Sequence, residues 1–188
     1  METIMKETIQ QLDVLLATLR SEFYQYLKDP LNDQQITSLE EHYQVKLPAD
    51  LRALYAWKNG QQDDCYEAFV NNATFLPLEE ALEIAKENTS MIGLDFEINN
   101  WWNEQWIPIF HNGGGDYICY DLGGIFTGQE GQLIEFWHAD NDRNVIAPSL
   151  ESFLGKLKEY YENTPPEDFD EYFQIADVEN YPKRFRVE

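Results

Sequence analysis

Apolar residues recur along the first part of the chain at helical spacing. Ile4, Ile9, Leu12, Leu16, Leu19 and Phe23 fall at three-, four- and five-residue steps and form one stripe. The spacing predicts a helix to about Leu27, ended by Pro30. Asp33 then suits the N-cap of a second helix, whose Ile36, Leu39 and Tyr43 share a face. Pro48 suits the first turn of a third, with Leu51, Leu54 and Tyr55 inward and Asn59-Gly60 as its stop signal. "FVNNATFLPL" reads as extended, and "LEEALEIAKENTSMI" as a helix with Leu78, Leu82 and Ala85 inward.

From Trp106 the period shortens toward two. Strands are expected at 106–110, 116–122 and 132–138, with a fourth at 143–147. Ser149 N-caps a last helix carrying Leu150, Phe153, Leu154, Leu157 and Tyr160, which "NTPPED" breaks. Helices, then strands, then a helix is the order of a segregated α+β fold with an antiparallel or mixed sheet. The length of 188 residues predicts one domain. We divide it into an N-terminal helix (1–30), an α+β body (31–164) and an acidic, aromatic tail (165–188). The tail is expected either to dock "DFDEYFQIA" as a short helix or to stay partly disordered.

Three consecutive glycines, Gly113 to Gly115, interrupt the strand pattern in "WIPIFHNGGGDYICYDL". A phosphate loop needs a helix start after the glycines or a nearby Lys or Arg. Neither is present. Alternation instead puts Ile118, Tyr120 and Leu122 on one face of the following strand and Tyr117, Cys119 and Asp121 on the other, so the glycines are expected to turn a hairpin.

Charge changes the picture most. Thirty-five acids against thirteen bases give −22, and residues 61–144 alone hold sixteen acids and two bases, a net −14. No Lys or Arg stands between Lys86 and Arg143. Such a field repels nucleic acid and anionic membrane and attracts basic partners. The N-terminus lacks the pattern of a secretory signal and no stretch has the apolar length of a membrane span, so a cytoplasmic protein is expected, with Cys65 and Cys119 reduced.

Catalytic chemistry finds no support. His42, His111 and His138 are scattered, no G-x-S-x-G elbow occurs, and neither cysteine pairs with a histidine in sequence. Asp140, Asp142, Asn144 and Glu151 match positions 1, 3, 5 and 12 of a calcium loop, but Val145 stands where glycine is required and Pro148 interrupts it. No catalytic residue, metal ligand or cofactor is assigned.

Three stretches in order, "LPADLRALYAWKNG", "WIPIFHNGGGDYICYDL" and "VIAPSLESFLGKLKEYY", resemble the SUKH superfamily of bacterial toxin-immunity proteins and a fungal cell-wall synthesis regulator. The resemblance covers about residues 33–162; the family's glycine turn is usually shorter. The matching positions are Leu47, Pro48, Asn59, Gly60, Trp106, Pro108, Gly115, Asp116 and Asp121. Apart from the two aspartates these read as structural, and Pro108 suggests a strand edge or start. The resemblance implies a non-catalytic α+β domain that, in bacteria, occludes a toxin. Combined with the acid excess, it points to a basic protein partner such as a nuclease toxin; a regulatory scaffold is the alternative. Contacts are expected from Asp63, Asp64, Trp101, Trp102, Glu104, Asp116, Tyr117 and Asp121, although Trp101 and Trp102 read as core at least as readily.

Overall fold

The computed structural model describes residues 2–188, with side chains from Ile4 onward. The element order is α1 (Glu2–Leu19), α2 (Ser21–Tyr24), α3 (Asp33–Tyr43), α4 (Ala49–Trp57), β1 (Thr74–Phe75), α5 (Leu78–Ser90), β2 (Trp106–His111), β3 (Tyr117–Asp121), β4 (Gln132–Phe136), β5 (Asp142–Ala147), α6 (Leu150–Asn163), a 3₁₀ turn (Pro166–Asp168) and β6 (Lys183–Arg186). The strands pair in sequence order as one antiparallel meander. This is the expected α+β arrangement.

Both faces of the sheet are apolar. Ile107, Phe110, Ile118, Tyr120 and Leu133 pack under the helices, including Leu12 and Leu16 of α1 and Phe153 and Leu157 of α6. Trp106, Cys119, Ile134, Phe136 and Val145 face the other way and are covered by Trp102, with Trp101 and Phe96 beside it. The alternation read in β3 therefore holds, but it separates two buried faces, not a buried and a wet one. The connection before β2 is the second cover.

Several local expectations change. The first helix breaks at Arg20, which leaves helical geometry (φ −132°, ψ 52°) between α1 and α2. Ile4 is exposed and Met5 takes the inward position. The N-cap of α3 is Asn32, not Asp33: its side chain accepts from the Gln35 N–H while the Gln35 side chain accepts from the Asn32 N–H, a reciprocal box that Asp33 could not close. Pro48 stands just before α4 as its N-cap. Only Thr74 and Phe75 of the 69–78 stretch form a strand. In α6, Tyr161 is the buried tyrosine and Tyr160 packs at the margin. Pro108 is the third residue of β2, beside the register shift between Pro108 and Phe110; β1 pairs only with Phe110 and His111, so at Pro108 the strand is open on the β1 side and the missing N–H breaks no pairing there.

The tail does not form the helix "DFDEYFQIA". Phe173 and Ile175 are buried in the main core and Lys183–Arg186 adds the sixth strand beside β5. Lys183, Arg184 and Arg186 on this edge strand suit it to water and discourage edge-to-edge pairing.

Arg20 joins the two ends of the chain. It is buried, donates to the Tyr161 hydroxyl (3.1 Å), the Glu67 carboxylate (3.2 Å) and the Ala68 carbonyl (3.0 Å), and lies between the Phe23 and Phe173 rings. Arg20→Ala removes all of these and leaves a buried hydroxyl and carbonyl unpaired. We expect a loss of about 2–4 kcal/mol in urea unfolding. Lys158→Ala, which breaks only the exposed pair with Glu162, should cost less than about 0.5 kcal/mol.

Candidate functional site

Three neighbouring hollows on the surface share lining residues. The first, of 500 Å³, is lined by Asp63, Tyr66, Glu80 and His111 among others, and shares Asn72 and Asn112 with the second. The second, of 210 Å³, holds Asp116 and Tyr117 and shares Asn71, Glu135 and Trp137 with the third. The third, of 220 Å³, adds Asn144, Asp177 and Arg184. Five carboxylates line this run, and Tyr66 (87% exposed) and Trp137 (38% exposed) offer apolar surface beside them.

The glycine turn shapes the middle of the run. Asn112 Oδ1 accepts from the Gly114 and Asp116 N–H groups, and its Nδ2 donates to Asp116. Gly115, at φ +95°, brings Asp116 against His138, whose backbone N–H donates to Oδ1 (2.9 Å) and whose ring Nδ1 lies 2.8 Å from the same oxygen. Burial pushes the Asp116 carboxyl up, but these hydrogen bonds outweigh it and hold the group below the ordinary aspartate range. The turn is flanked by strands, not by a helix start.

Glu135 is the unusual group. Strand register places it between Ile118 and Asn144, in line with Phe110, on the face that elsewhere carries the main core. Its Oε2 accepts from Asn144 Nδ2 at 3.0 Å. Burial pushes its carboxyl above the ordinary glutamate range, and the like charges of Asp177 and Asp116 add to this; the Asn144 bond and the Arg184 charge oppose it. Burial likewise lowers the His111 pKa at the other end of the run.

The residues singled out in the sequence divide. Asp63 and Asp64 are exposed, Asp63 pairing with Lys28 at 2.9 Å. Asp116 and Tyr117 line the middle hollow. Glu104 is exposed but lines a separate 670 Å³ hollow of mixed charge with Lys46 and Lys86. Trp102 is a core residue, edge-on to Trp106 and Phe136, and Trp101 is half-buried under the Arg143 guanidinium. Asp121 is fully buried: its carboxylate accepts from the Gly123 and Ile125 N–H groups and from Gln132 Nε2, so it holds the β3–β4 connection and presents no surface of its own. Leu47 and Trp106 are buried, and Asn59 Oδ1 caps α5 through the Leu78 N–H. Gly60, at φ +75°, lies so near Pro77 that a Cβ would come within 2.4 Å of its nitrogen.

Tyr66, Glu80, Glu135, Trp137 and Asp177 were missed. The available signal was Glu135, a charge inside the apolar run "QLIEFW". The calcium-like residues fall on different elements, Asp142 and Asn144 within β5 and Glu151 within α6. Among the described residues no group of three or more His, Cys, Asp or Glu is placed to hold a metal ion, and no helix is long and apolar enough to cross a membrane. Cys65 and Cys119 are free and buried, and burial raises both thiol pKa values, which disfavours the reactive thiolate.

Because the folded state raises the Glu135 pKa, ionised Glu135 destabilises the fold. That cost is full above the folded pKa and vanishes below the unfolded value of about 4.3. Glu135→Gln keeps an acceptor for Asn144 and should raise the melting temperature at pH 7. The gain should fade as the pH is lowered to about 4, where parent and variant carry the same charge at this position. Melting curves of both proteins across this range check the sign.

No curated protein sequence is significantly similar to the chain. The family model described as SMI1 / KNR4 family (SUKH-1) matches residues 30–156. The match takes in α3 to β5 and the first half of α6, including the glycine turn and Glu135. With some two-thirds of its length covered, the chain belongs to the SMI1/KNR4 (SUKH-1) family.

Proposed function

We propose that this protein is a non-catalytic binding domain that acts in the cytoplasm as an immunity protein, occluding a basic toxin domain with its acidic run of hollows. The observation that carries this reading is the placement of Asp63, Glu80, Asp116, Glu135 and Asp177 in three neighbouring hollows that share lining residues. Membership in a family of immunity and regulatory domains supports a binding role. The burial of Arg143 supports it further. Of the two bases in residues 61–144 only Lys86 reaches solvent, and Lys86 lines the separate hollow.

A carboxylate surface of this kind steers a cationic partner within about a Debye length, about 8 Å at physiological ionic strength. Exposed Tyr66 and Trp137 supply the aromatic area that interfaces use as anchors. Regulation of an endogenous partner, the alternative for this family, uses the same physics with a different occupant.

The test is capture of the partner by tagged protein from its own cells, followed by kinetics. Association is expected near about 10⁸ M⁻¹s⁻¹ at low salt and should slow steeply as salt rises, while dissociation changes little. Asp63→Lys, Asp64→Lys and Glu80→Lys combined should lower the on-rate at least about tenfold without unfolding the protein, because all three side chains are exposed. A salt-insensitive on-rate, or a folded triple variant that binds like the parent, overturns the reading. Rescue of cells expressing the captured partner separates immunity from regulation.

A further inference from the structure

Asn144 is only 7% exposed, yet its Oδ1 is buried with no hydrogen-bond partner. The amide cannot turn over to hide the defect. Its Nδ2 donates to Glu135, and a carboxylate accepts only, so a flip would set two oxygens against each other. Asn144 and Glu135 both line the 220 Å³ hollow, the amide Nδ2 of one facing the carboxylate of the other and the unpaired Oδ1 set back in its wall. Bulk water occupies about 30 Å³ per molecule, so this space has the volume of several waters. Asp177 and Trp137 form other parts of its wall.

We propose that the hollow over Glu135 and Asn144 is a receptor for an arginine side chain of the partner, an inference that rests on the acidic-surface reading above. The site offers a neutral acceptor and an anionic one side by side, which suits a planar fork of N–H donors. Glu135 supplies the charge, and Asn144 Oδ1 gains the partner it lacks within the protein. Trp137 offers a ring on which a guanidinium stacks, which favours arginine over lysine. Arg184 at the rim is exposed and makes no hydrogen bond to Glu135, so the protein's own nearest guanidinium does not fill the site.

The experiment titrates ¹⁵N-labelled protein with N-acetyl-arginine-N′-methylamide, its neutral citrulline counterpart, or magnesium or calcium chloride. The arginine probe should produce saturable shifts of the Asn144 side-chain amide and the Trp137 indole, with citrulline at least about tenfold weaker. Glu135→Gln, which should fold at least as well as the parent, and Asn144→Leu should each weaken the arginine probe by about tenfold, and Asp64→Asn should not. Equal shifts with citrulline, shifts with the metal salts but not with arginine, or undiminished binding by Glu135→Gln overturn the proposal. If the partner's association stays salt-dependent and sensitive to reversal at residues 63, 64 and 80 while the probe leaves this hollow untouched, the arginine receptor falls and the acidic-surface reading stands.

Discussion

Burial of the Arg143 guanidinium without a carboxylate partner is the constraint around which the second face of the sheet is arranged. The side chain is fully buried, and its donors reach the carbonyls of Trp101 (2.7 and 3.1 Å), Asp140 (2.7 Å) and Asp142 (2.7 Å). Desolvation pushes its pKa down to about 10, still far above neutral, so the charge remains and must be met by carbonyl dipoles. Those carbonyls belong to two distant places, the connection before β2 and the β4–β5 connection with the first residue of β5. The guanidinium also lies over Trp101 and Phe136. One cation thus pins the irregular segment that covers Trp106 and Phe136, and without that cover an apolar sheet face would meet water.

The same arrangement shapes the electrostatics. A base that sits inside offers no cation for contact at the surface, so the half of the chain poorest in Lys and Arg is poorer still in basic groups that reach solvent. The tail works in the opposite direction at one edge. β6 sets Lys183, Arg184 and Arg186 beside β5, and Arg186 pairs with Asp142 at 3.1 Å. The acidic lining of the hollows from Asp63 to Glu135 is therefore bounded by bases at the sixth strand. A bounded field selects an orientation as well as a sign, because a partner that contacts the wrong edge meets like charge.

Glu135 and Asn144 hold polar groups in place at a cost to folding. The pair occupies a register row that begins with Phe75, Phe110 and Ile118, where apolar side chains would pack more favourably. A like-charged neighbourhood and an unpaired carbonyl oxygen both cost stability. Groups kept in that condition are the ones with most to gain from an outside partner.

Much of this was legible in the linear pattern. Periodicity located α3 to α6 and strands β2 to β5 within a residue or two, because each needs one continuous apolar face and that face repeats along the chain. The three ordered motifs carried the family, and the glycines read as a turn because no base or helix start follows them. What pattern could not supply depended on partners far away in sequence. The break at Arg20 is tied to Tyr161 and Phe173, the inward place of Trp102 to Phe136, and the burial of Asp121 to Gln132 and the turn it holds. β6 is a strand only because β5 presents an open edge. The sequence alone determined which residues are apolar, which are acidic and how they alternate. Tertiary structure decided which acids stay in water and which lie side by side, since burial and like-charge contact arise between segments that only the fold brings together.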